Sequence, residues 1–414
     1  MSQKLFTRNF ILLMFGQVSS LIGNYTLKFA LSMYILEKTG SAAVFGTIMA
    51  IAMIPTILLA PFGGFMADRF NRRNMMAALD FISGVCVLAA FMLFQNSHTI
   101  LLIAVLQIVL SVFGAFETPT VQASVSQIHS GKNLLKANAA VNQVQAAAAL
   151  ITPFTGSLFY TAFGIRPVLA VTSVCFFITA FLECFIKLEC VKTHKESKVI
   201  SIIKDDFKES IRFLKSDQPK IFKLLLLASG ISFFIIGISV VGLPYLVRNV
   251  LSLSSNHYGI AESIIGIGAI AGSILAGIMS SKLSVSKLHI LTLVLGVCII
   301  PSALAFFMPV DTMLKYIILI ASFFAGQMIC AMFSIISLST IQQNTPQYLT
   351  GKVMAFVMTI STCTHPLGQI VYGLLFDIFS ADSWLVLLLT GFIICAAGCT
   401  TAPFFKKFYC NNTL

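Results

Sequence analysis

Charged residues are scarce in this chain of 414 residues. Asp, Glu, Lys and Arg together make up 10% of it, whereas soluble domains carry about 25%. Hydrophobic residues reach 57%, and the mean hydropathy is +0.93. This composition excludes an ordinary soluble protein and predicts that most of the surface faces lipid. The length therefore cannot be converted into a number of soluble domains.

Several chemical motifs are also missing. The ten cysteines include no Cys-x-x-Cys pair and lie mostly inside apolar runs, which argues against disulfides and structural zinc. The six histidines show no His-x-x-x-His or His-x-x-Glu-His spacing, and no Gly-x-x-x-x-Gly-Lys-[Ser/Thr] loop for ATP is present. We therefore predict no catalytic residues, no metal site, no cofactor and no direct use of ATP.

Long apolar runs dominate what is present. Twelve of them follow one another, and each is long enough for a helix to cross a hydrocarbon core of about 30 Å. A closed β-barrel would show shorter, alternating segments instead. The sequence predicts an all-α integral membrane protein with twelve transmembrane helices. The predicted spans are 9–36, 42–67, 74–94, 99–123, 135–162, 167–186, 222–247, 257–281, 288–309, 313–338, 352–378 and 383–404.

The basic residues indicate the topology. Ten Lys and Arg fall within 187–223, and most others lie in alternate gaps between spans. The remaining gaps hold only Lys38, Arg166, Arg248 and Lys315. By the positive-inside rule, both termini are predicted to be cytoplasmic in a multi-pass protein of the cell membrane. The net charge of +12 then comes from basic residues on the cytoplasmic side of the membrane. Membrane lipids, and not nucleic acid, are therefore the predicted partners.

The longest hydrophilic stretch divides the spans six and six. We predict an N-terminal six-helix bundle over 1–186, a cytoplasmic linker over 187–221 and a C-terminal six-helix bundle over 222–414. Apolar residues recur at helical spacing in the linker, which predicts an amphipathic helix on the inner leaflet. They are Ile202, Ile203, Phe207, Ile211, Phe213 and Leu214.

Two pairs of features indicate that the halves are repeats. Residues 64–71 and 277–284 have similar sequences 213 residues apart, and Pro153 and Pro366 have the same separation. Parallel repeats of this kind place a substrate site near the membrane midplane, where the halves meet.

The strongest local motif lies between the second and third spans. Gly63-Gly64-Phe65-Met66-Ala67-Asp68-Arg69-Phe70-Asn71-Arg72-Arg73 resembles the G-x-x-x-D-R-x-G-R-R signature of the major facilitator superfamily. Asn71 replaces the usual glycine, and Asn tolerates a left-handed turn. With twelve spans and a central loop, the resemblance covers essentially the whole chain and implies the major facilitator fold. It also implies a conformational latch formed by Gly64, Asp68, Arg69, Arg72 and Arg73. A loop that only sets topology is the alternative.

Shorter motifs resemble one branch of this superfamily. Residues 37–41, 116–119 and 134–138 look like the bacterial drug and macrolide efflux branch. The fifth span keeps Pro153 and Gly156 of the antiporter motif G-x-x-x-G-P-x-x-G-G but lacks its earlier glycines. An arginine common in the fourth span of proton-coupled members is also absent. These departures leave proton coupling open.

Polar side chains form stripes inside several spans. Gln17, Ser20, Asn24 and Lys28 share one helix face because they are three or four residues apart. In the family, spans one, four, seven and ten line the central cavity. The predicted cavity residues are therefore Gln17, Asn24, Lys28, Gln107, Ser111, Glu117, Gln327 and Ser334. Stripes that serve only helix packing are the alternative.

Ionisable residues inside spans are costly and point to function. Lys28 costs about 2.5–3.5 kcal/mol in the hydrocarbon core, so it is predicted to face the cavity unless it extends to the outer surface. Glu117 is the predicted proton carrier. Asp80 is a second candidate, although its place after Arg73 favours the charge network of the loop. Glu183, Glu262 and Asp377 lie near span ends and are expected to be solvated.

The sequence thus predicts a monomeric secondary transporter whose partners are a small-molecule substrate and protons. It would export a lipophilic, drug-like or macrolide-like compound by proton antiport. Export of an endogenous metabolite or siderophore is one alternative. A transporter-like sensor that binds without translocating is another.

Overall fold

The structure is a computed structural model that describes residues 5–94, 99–188, 207–279 and 285–410, with side chains at all of these except 68, 132 and 406–410. Three predictions thus fall outside it. They are the side chain of Asp68, the linker residues Ile202 and Ile203, and the end of the second repeat motif at 280–284.

Within the described ranges, twelve long helices follow the predicted spans. They are α1 (Arg8–Thr39), α2 (Ala42–Arg69), α3 (Arg72–Leu93), α4 (Thr99–Ile128), α5 (Gly131–Phe163), α6 (Ile165–Cys184), α7 (Pro219–Val250), α8 (Ser255–Ile278), α9 (Leu288–Phe307), α10 (Thr312–Gln343), α11 (Thr350–Ile378) and α12 (Ser383–Cys410). The all-α prediction is confirmed. Several helices run past the predicted edges, because polar residues continue a helix once its backbone hydrogen bonds are formed.

Eleven of the described helices are long and apolar enough to cross a membrane. The remaining one, α11, has 29 residues but carries His365, Gln369 and Asp377. The integral membrane class is therefore confirmed, while the count of twelve spans stays a prediction.

Internal contacts divide the chain into two compact units. The first contains residues 1–38 and 51–202, and the second contains 39–50 and 203–414. In the first unit α3 packs against α6 and α4; in the second, α9 packs against α12 and α10, α8 against α10, and α11 against α7. The predicted bundle and linker boundaries stay a prediction.

Helices α1 and α6 approach each other through small residues. A Cβ atom at Gly16 would lie 3.4 Å from Thr179 Cγ2, and one at Gly23 would lie 3.0 Å from Cys175 Cβ. Hydroxyl groups of α6 also donate to α1, from Thr179 to the Gly16 carbonyl at 3.1 Å and from Thr172 to the Gly23 carbonyl at 3.2 Å. This contact holds the face of α1 that carries Ser20 against α6.

The prediction that Asp377 is solvated is wrong. Its carboxylate accepts hydrogen bonds from the Ser41 hydroxyl, from the Ala42 amide at 2.7 Å and from the Ala43 amide at 3.2 Å. A carboxylate is favourable there because the first amides of a helix have no partner inside it. This contact explains why the start of α2 belongs to the second unit. Glu262, also expected to be solvated, is half-buried and hydrogen-bonded to Tyr258.

The described end of the linker, residues 207–217, is helical and packs on the second unit. The Phe207 ring lies 5.3 Å from the Phe356 ring, and Glu209 forms an ion pair with Lys352 at 2.7 Å. Phe213 is buried as well. The apolar residues of this part therefore contact protein, where the sequence analysis expected the inner leaflet.

Candidate functional site

The site is built around Ser20 of α1, which is 3% exposed. Its hydroxyl oxygen lies 3.2 Å from Asp80 Oδ1 of α3 and 3.4 Å from Glu117 Oε1 of α4. Glu183 of α6 lies near Asp80, but neither of its carboxylate oxygens is hydrogen-bonded to a described residue. We call Asp80, Glu117 and Glu183 the carboxylate cluster. Two helices therefore bring an acidic side chain to the Ser20 hydroxyl, and a third helix adds Glu183 beside Asp80.

Burial differs within the carboxylate cluster. Asp80 and Glu183 are 0% exposed, whereas Glu117 is half-buried. Asp80 Oδ2 and both Glu183 oxygens have no hydrogen-bond donor among the described residues. Two ionised carboxylates that are buried close together repel each other. A proton bound to one of the two would remove this repulsion and would add a donor where the described residues supply none.

No described lysine or arginine neutralises the cluster. The electrostatic and hydrogen-bonding partners of Asp80 are Glu117, Glu183 and Ser20, and all three lie in the first unit. The side chain of Lys28 is exposed and forms neither a hydrogen bond nor an ion pair with a described residue. The observed hydrogen bond of Glu117 is to the Ser20 hydroxyl. Whether Lys28 faces a cavity stays a prediction.

The expected place of Asp80 was wrong. Sequence reasoning assigned it to the charge network of the loop, but it lies more than two helical turns past Arg72, on the face of α3 that meets α1, α4 and α6. At about 1.5 Å per residue, eight residues move it about 12 Å along the helix axis. Its second assignment, as a candidate for proton coupling, stays open.

The prediction that Glu183 is solvated is wrong: it lies next to the end of α6 but is 0% exposed. The chain turns back after Cys184, and Ile186 is fully buried, so the last turn of the helix is covered by protein. One signal was available in the sequence. Thr172, Thr179 and Glu183 are seven and four residues apart, which places them on one helix face. That face packs on α1.

The other predicted cavity residues divide into three groups. The side-chain amides of Gln17 and Gln107 are buried, and their nitrogens have no acceptor among the described residues. The Ser111 hydroxyl is hydrogen-bonded to the Thr56 hydroxyl of α2 at 2.7 Å. This polar residue therefore contributes to packing between helices. Asn24 and Gln327 are half-buried, and Ser334 is exposed. A shared substrate cavity stays a prediction.

The latch loop (residues 63–73) is held by Arg72. The Arg72 guanidinium donates to the Ala67 carbonyl at 2.9 Å and to the Ala123 carbonyl at 2.8 Å, which ties the end of α2 to α4. Arg69 lies over the Phe65 ring at 4.0 Å, and Arg73 donates to the adjacent Asn74.

Two residues of the latch loop differ from expectation. Asn71 is not in a left-handed turn: with φ −65° and ψ 108° it is the N-cap of α3 and accepts from the Asn74 amide. Such a cap satisfies one of the free amides of the helix. Among the described residues, no atom lies within 4 Å of a Cβ at Gly64, and the close approach to α4 occurs at Gly63 instead.

Comparison with known proteins identifies the family. A model of the Major Facilitator Superfamily matches residues 13–363. The chain belongs to this superfamily. It is 22% identical to macrolide efflux protein A of Streptococcus pyogenes over 391 residues, which cover 92% of both chains. It is also 22% identical to the staphyloferrin A transporter of Staphylococcus aureus over 369 residues, 86% of this chain and 87% of that one.

The fold is also that of the superfamily. The crystal structure of the nucleoside transporter NupG superposes with a TM-score of 0.78, covering 97% of this chain and all of that one at 12% identity. The chain is therefore a multi-pass membrane transporter of small molecules and not an enzyme. The resemblance to bacterial efflux transporters found in the sequence is confirmed.

Proposed function

We propose that this protein exports lipophilic, macrolide-like compounds across the cell membrane in exchange for protons. The carboxylate cluster is the observation that carries the proposal. Ionisable groups inside membrane helices are costly and are kept where ions or protons move. The similarity to macrolide efflux protein A along 92% of both chains supports the substrate class.

The cluster has the properties that antiport needs. Its three acidic groups have no described cation beside them, so their charge changes with each proton bound. An ionised cluster attracts a cationic or zwitterionic substrate, and a protonated cluster does not. Proton and substrate then compete, and each stabilises a different conformational state of the transporter. Half-buried Glu117 is the group through which protons enter.

Everted membrane vesicles test this proposal. With an acidic lumen, uptake of a radiolabelled macrolide should be fast and should stop when a protonophore removes the gradient. Glu117→Gln should abolish this gradient-driven uptake but keep macrolide exchange without a gradient. The control is Asp382→Asn, because the exposed carboxylate of Asp382 accepts from the nearby Trp384 indole at 3.1 Å and from no other described residue. Gradient-driven uptake at the normal rate in Glu117→Gln would contradict the role of Glu117.

The siderophore alternative is supported by the relative from Staphylococcus aureus. The same vesicles distinguish it from macrolide export, because a radiolabelled carboxylate siderophore would then be taken up and the macrolide would not. Binding of a probe without uptake of any probe would instead indicate a sensor. Either result would overturn the proposed function.

A further inference from the structure

We propose that the Ser20 hydroxyl relays the coupling proton between Glu117, where it enters, and the buried pair Asp80–Glu183, where it is held. This proposal rests on the proposed proton antiport and adds two residues to it. Ser20 becomes a relay, and Glu183 becomes a second holder of the proton.

The distances around Ser20 are the first observation that supports the relay. Its Oγ lies within hydrogen-bonding distance of both Asp80 Oδ1, at 3.2 Å, and Glu117 Oε1, at 3.4 Å. A hydroxyl group has one proton to donate and lone pairs with which to accept. Ser20 can therefore donate to only one of the two carboxylates at a time. When Glu117 is protonated, it can donate to Ser20 while Ser20 donates to Asp80.

The transfer balances without any further reactant. The O–H bond of the Glu117 acid breaks, and its proton bonds to Ser20 Oγ. The original Ser20 proton passes to Asp80 Oδ1. Glu117 becomes a carboxylate, Asp80 becomes an acid, and Ser20 is again a neutral hydroxyl. The reverse transfer returns the proton to Glu117.

Burial separates the entry group from the holding pair. Glu117 is half-buried, whereas Asp80 and Glu183 have no exposed surface. Among the described side chains, Ser20 is the one that is hydrogen-bonded to both Asp80 and Glu117. Three buried oxygen atoms of the pair, Asp80 Oδ2 and both oxygens of Glu183, lack a donor among the described residues, and one bound proton could pair at most two of them.

A further buried polar side chain, Gln17, lies on the same helix as Ser20. Gln17 lies three residues before Ser20 on the same face of α1, is 4% exposed, and its Nε2 has no acceptor among the described residues. The ionisable groups around Asp80 are Glu117 from α4 and Glu183 from α6, and α1 contributes only the Ser20 hydroxyl. Unpaired donors and acceptors thus occur together in the first unit.

Ser19 provides a matched control. Its hydroxyl is on the same helix, but it donates to the Cys175 carbonyl of α6 at 3.0 Å and is hydrogen-bonded to no described carboxylate. Ser19→Ala therefore removes a hydroxyl between α1 and α6 without touching the relay. Ser20→Ala removes the relay, and Ser20→Thr restores a hydroxyl at the same position.

The experiment compares these variants as full-length protein in proteoliposomes. We expect Ser20→Ala to slow gradient-driven macrolide transport by about 100-fold, the usual scale of a lost proton-transfer group, while exchange without a gradient continues. Ser20→Thr should recover transport, and Ser19→Ala should resemble the wild type. Gradient-driven transport at the wild-type rate in Ser20→Ala would overturn the relay, and so would equal losses of both activities.

Infrared difference spectra after a pH jump provide a second test, which also applies if Ser20→Ala does not assemble. The signal of protonated carboxyl groups should decrease in Glu183→Gln and in Asp80→Asn. A full signal in Glu183→Gln would overturn the holding pair. Wild-type protein without any proton coupling would overturn the proposed antiport itself. A coupled wild type with an unaffected Ser20→Ala would overturn only the relay.

Discussion

Arg72 connects two helices with one side chain. The last carbonyl groups of a helix have no partner inside it, and a cation near them is favourable. The Arg72 guanidinium donates to the carbonyl of Ala67, in the last turn of α2, and to that of Ala123, inside α4. The observed contacts of Arg72 thus stabilise the packing of α2 on α4. A latch that also uses Asp68 stays a prediction.

Replacing Arg72 should therefore lower stability. Arg72→Met removes the charge-assisted hydrogen bonds to the Ala67 and Ala123 carbonyls, among others, and each such bond is worth about 1.5–3 kcal/mol when the donor is charged. We expect a lower midpoint of thermal unfolding in detergent, and only partial recovery in Arg72→Lys, because an ammonium group lacks the planar fork of arginine.

The adjacent arginine is the control for this prediction. Arg73 donates to the side chain of Asn74, one residue away, so Arg73→Met should leave the unfolding midpoint nearly unchanged. Equal midpoints for Arg72→Met and Arg73→Met would show that the two carbonyl contacts do not stabilise the fold.

Neighbouring glycines of α2 differ in their contacts with α4. A Cβ at Gly63 would overlap the Ala115 carbonyl and lie 2.9 Å from Pro119 Cγ. A Cβ at Gly64 would meet no described atom within 4 Å. The first glycine therefore permits the close crossing of the two helices, and the second does not take part in it.

This difference predicts opposite outcomes for one substitution. Gly63→Ala should force α2 and α4 apart and cost about 1–3 kcal/mol, as overpacking does in other proteins. Gly64→Ala should be folded normally. Size-exclusion profiles and unfolding midpoints in detergent measure both effects.

The same pair also separates packing from function. If Gly64 belongs to the latch, Gly64→Ala should transport slowly while its unfolding midpoint stays normal. A Gly63→Ala protein as stable as the wild type would contradict the close crossing of α2 and α4.

At the scale of the whole molecule, the basic residues predict the orientation in the membrane. In a chain with its native cysteines replaced, a cysteine at position 200 should react with an impermeant reagent only from the cytoplasmic side. A cysteine at Asp382, an exposed residue between α11 and α12, should react only from outside. Labelling of position 200 in intact cells would overturn the predicted topology.

The length and apolar character of the helices could be predicted from the sequence alone. A transmembrane helix forms its backbone hydrogen bonds within one continuous segment, so an apolar run marks it without knowledge of its neighbours. Family membership followed from the motif at 63–73, and Glu117 and Asp80 were recognised because a charge inside an apolar run is conspicuous.

Only the tertiary structure decided which of these residues meet. Glu183 is buried against α1 because α6 approaches α1 closely at Gly16 and Gly23, and α3 packs on α6. Ser20 links the carboxylates because three packed helices meet at its position. The rotation of each helix about its axis and its depth in the membrane depend on contacts between segments far apart in the chain. The periodicity of one segment does not reveal these contacts.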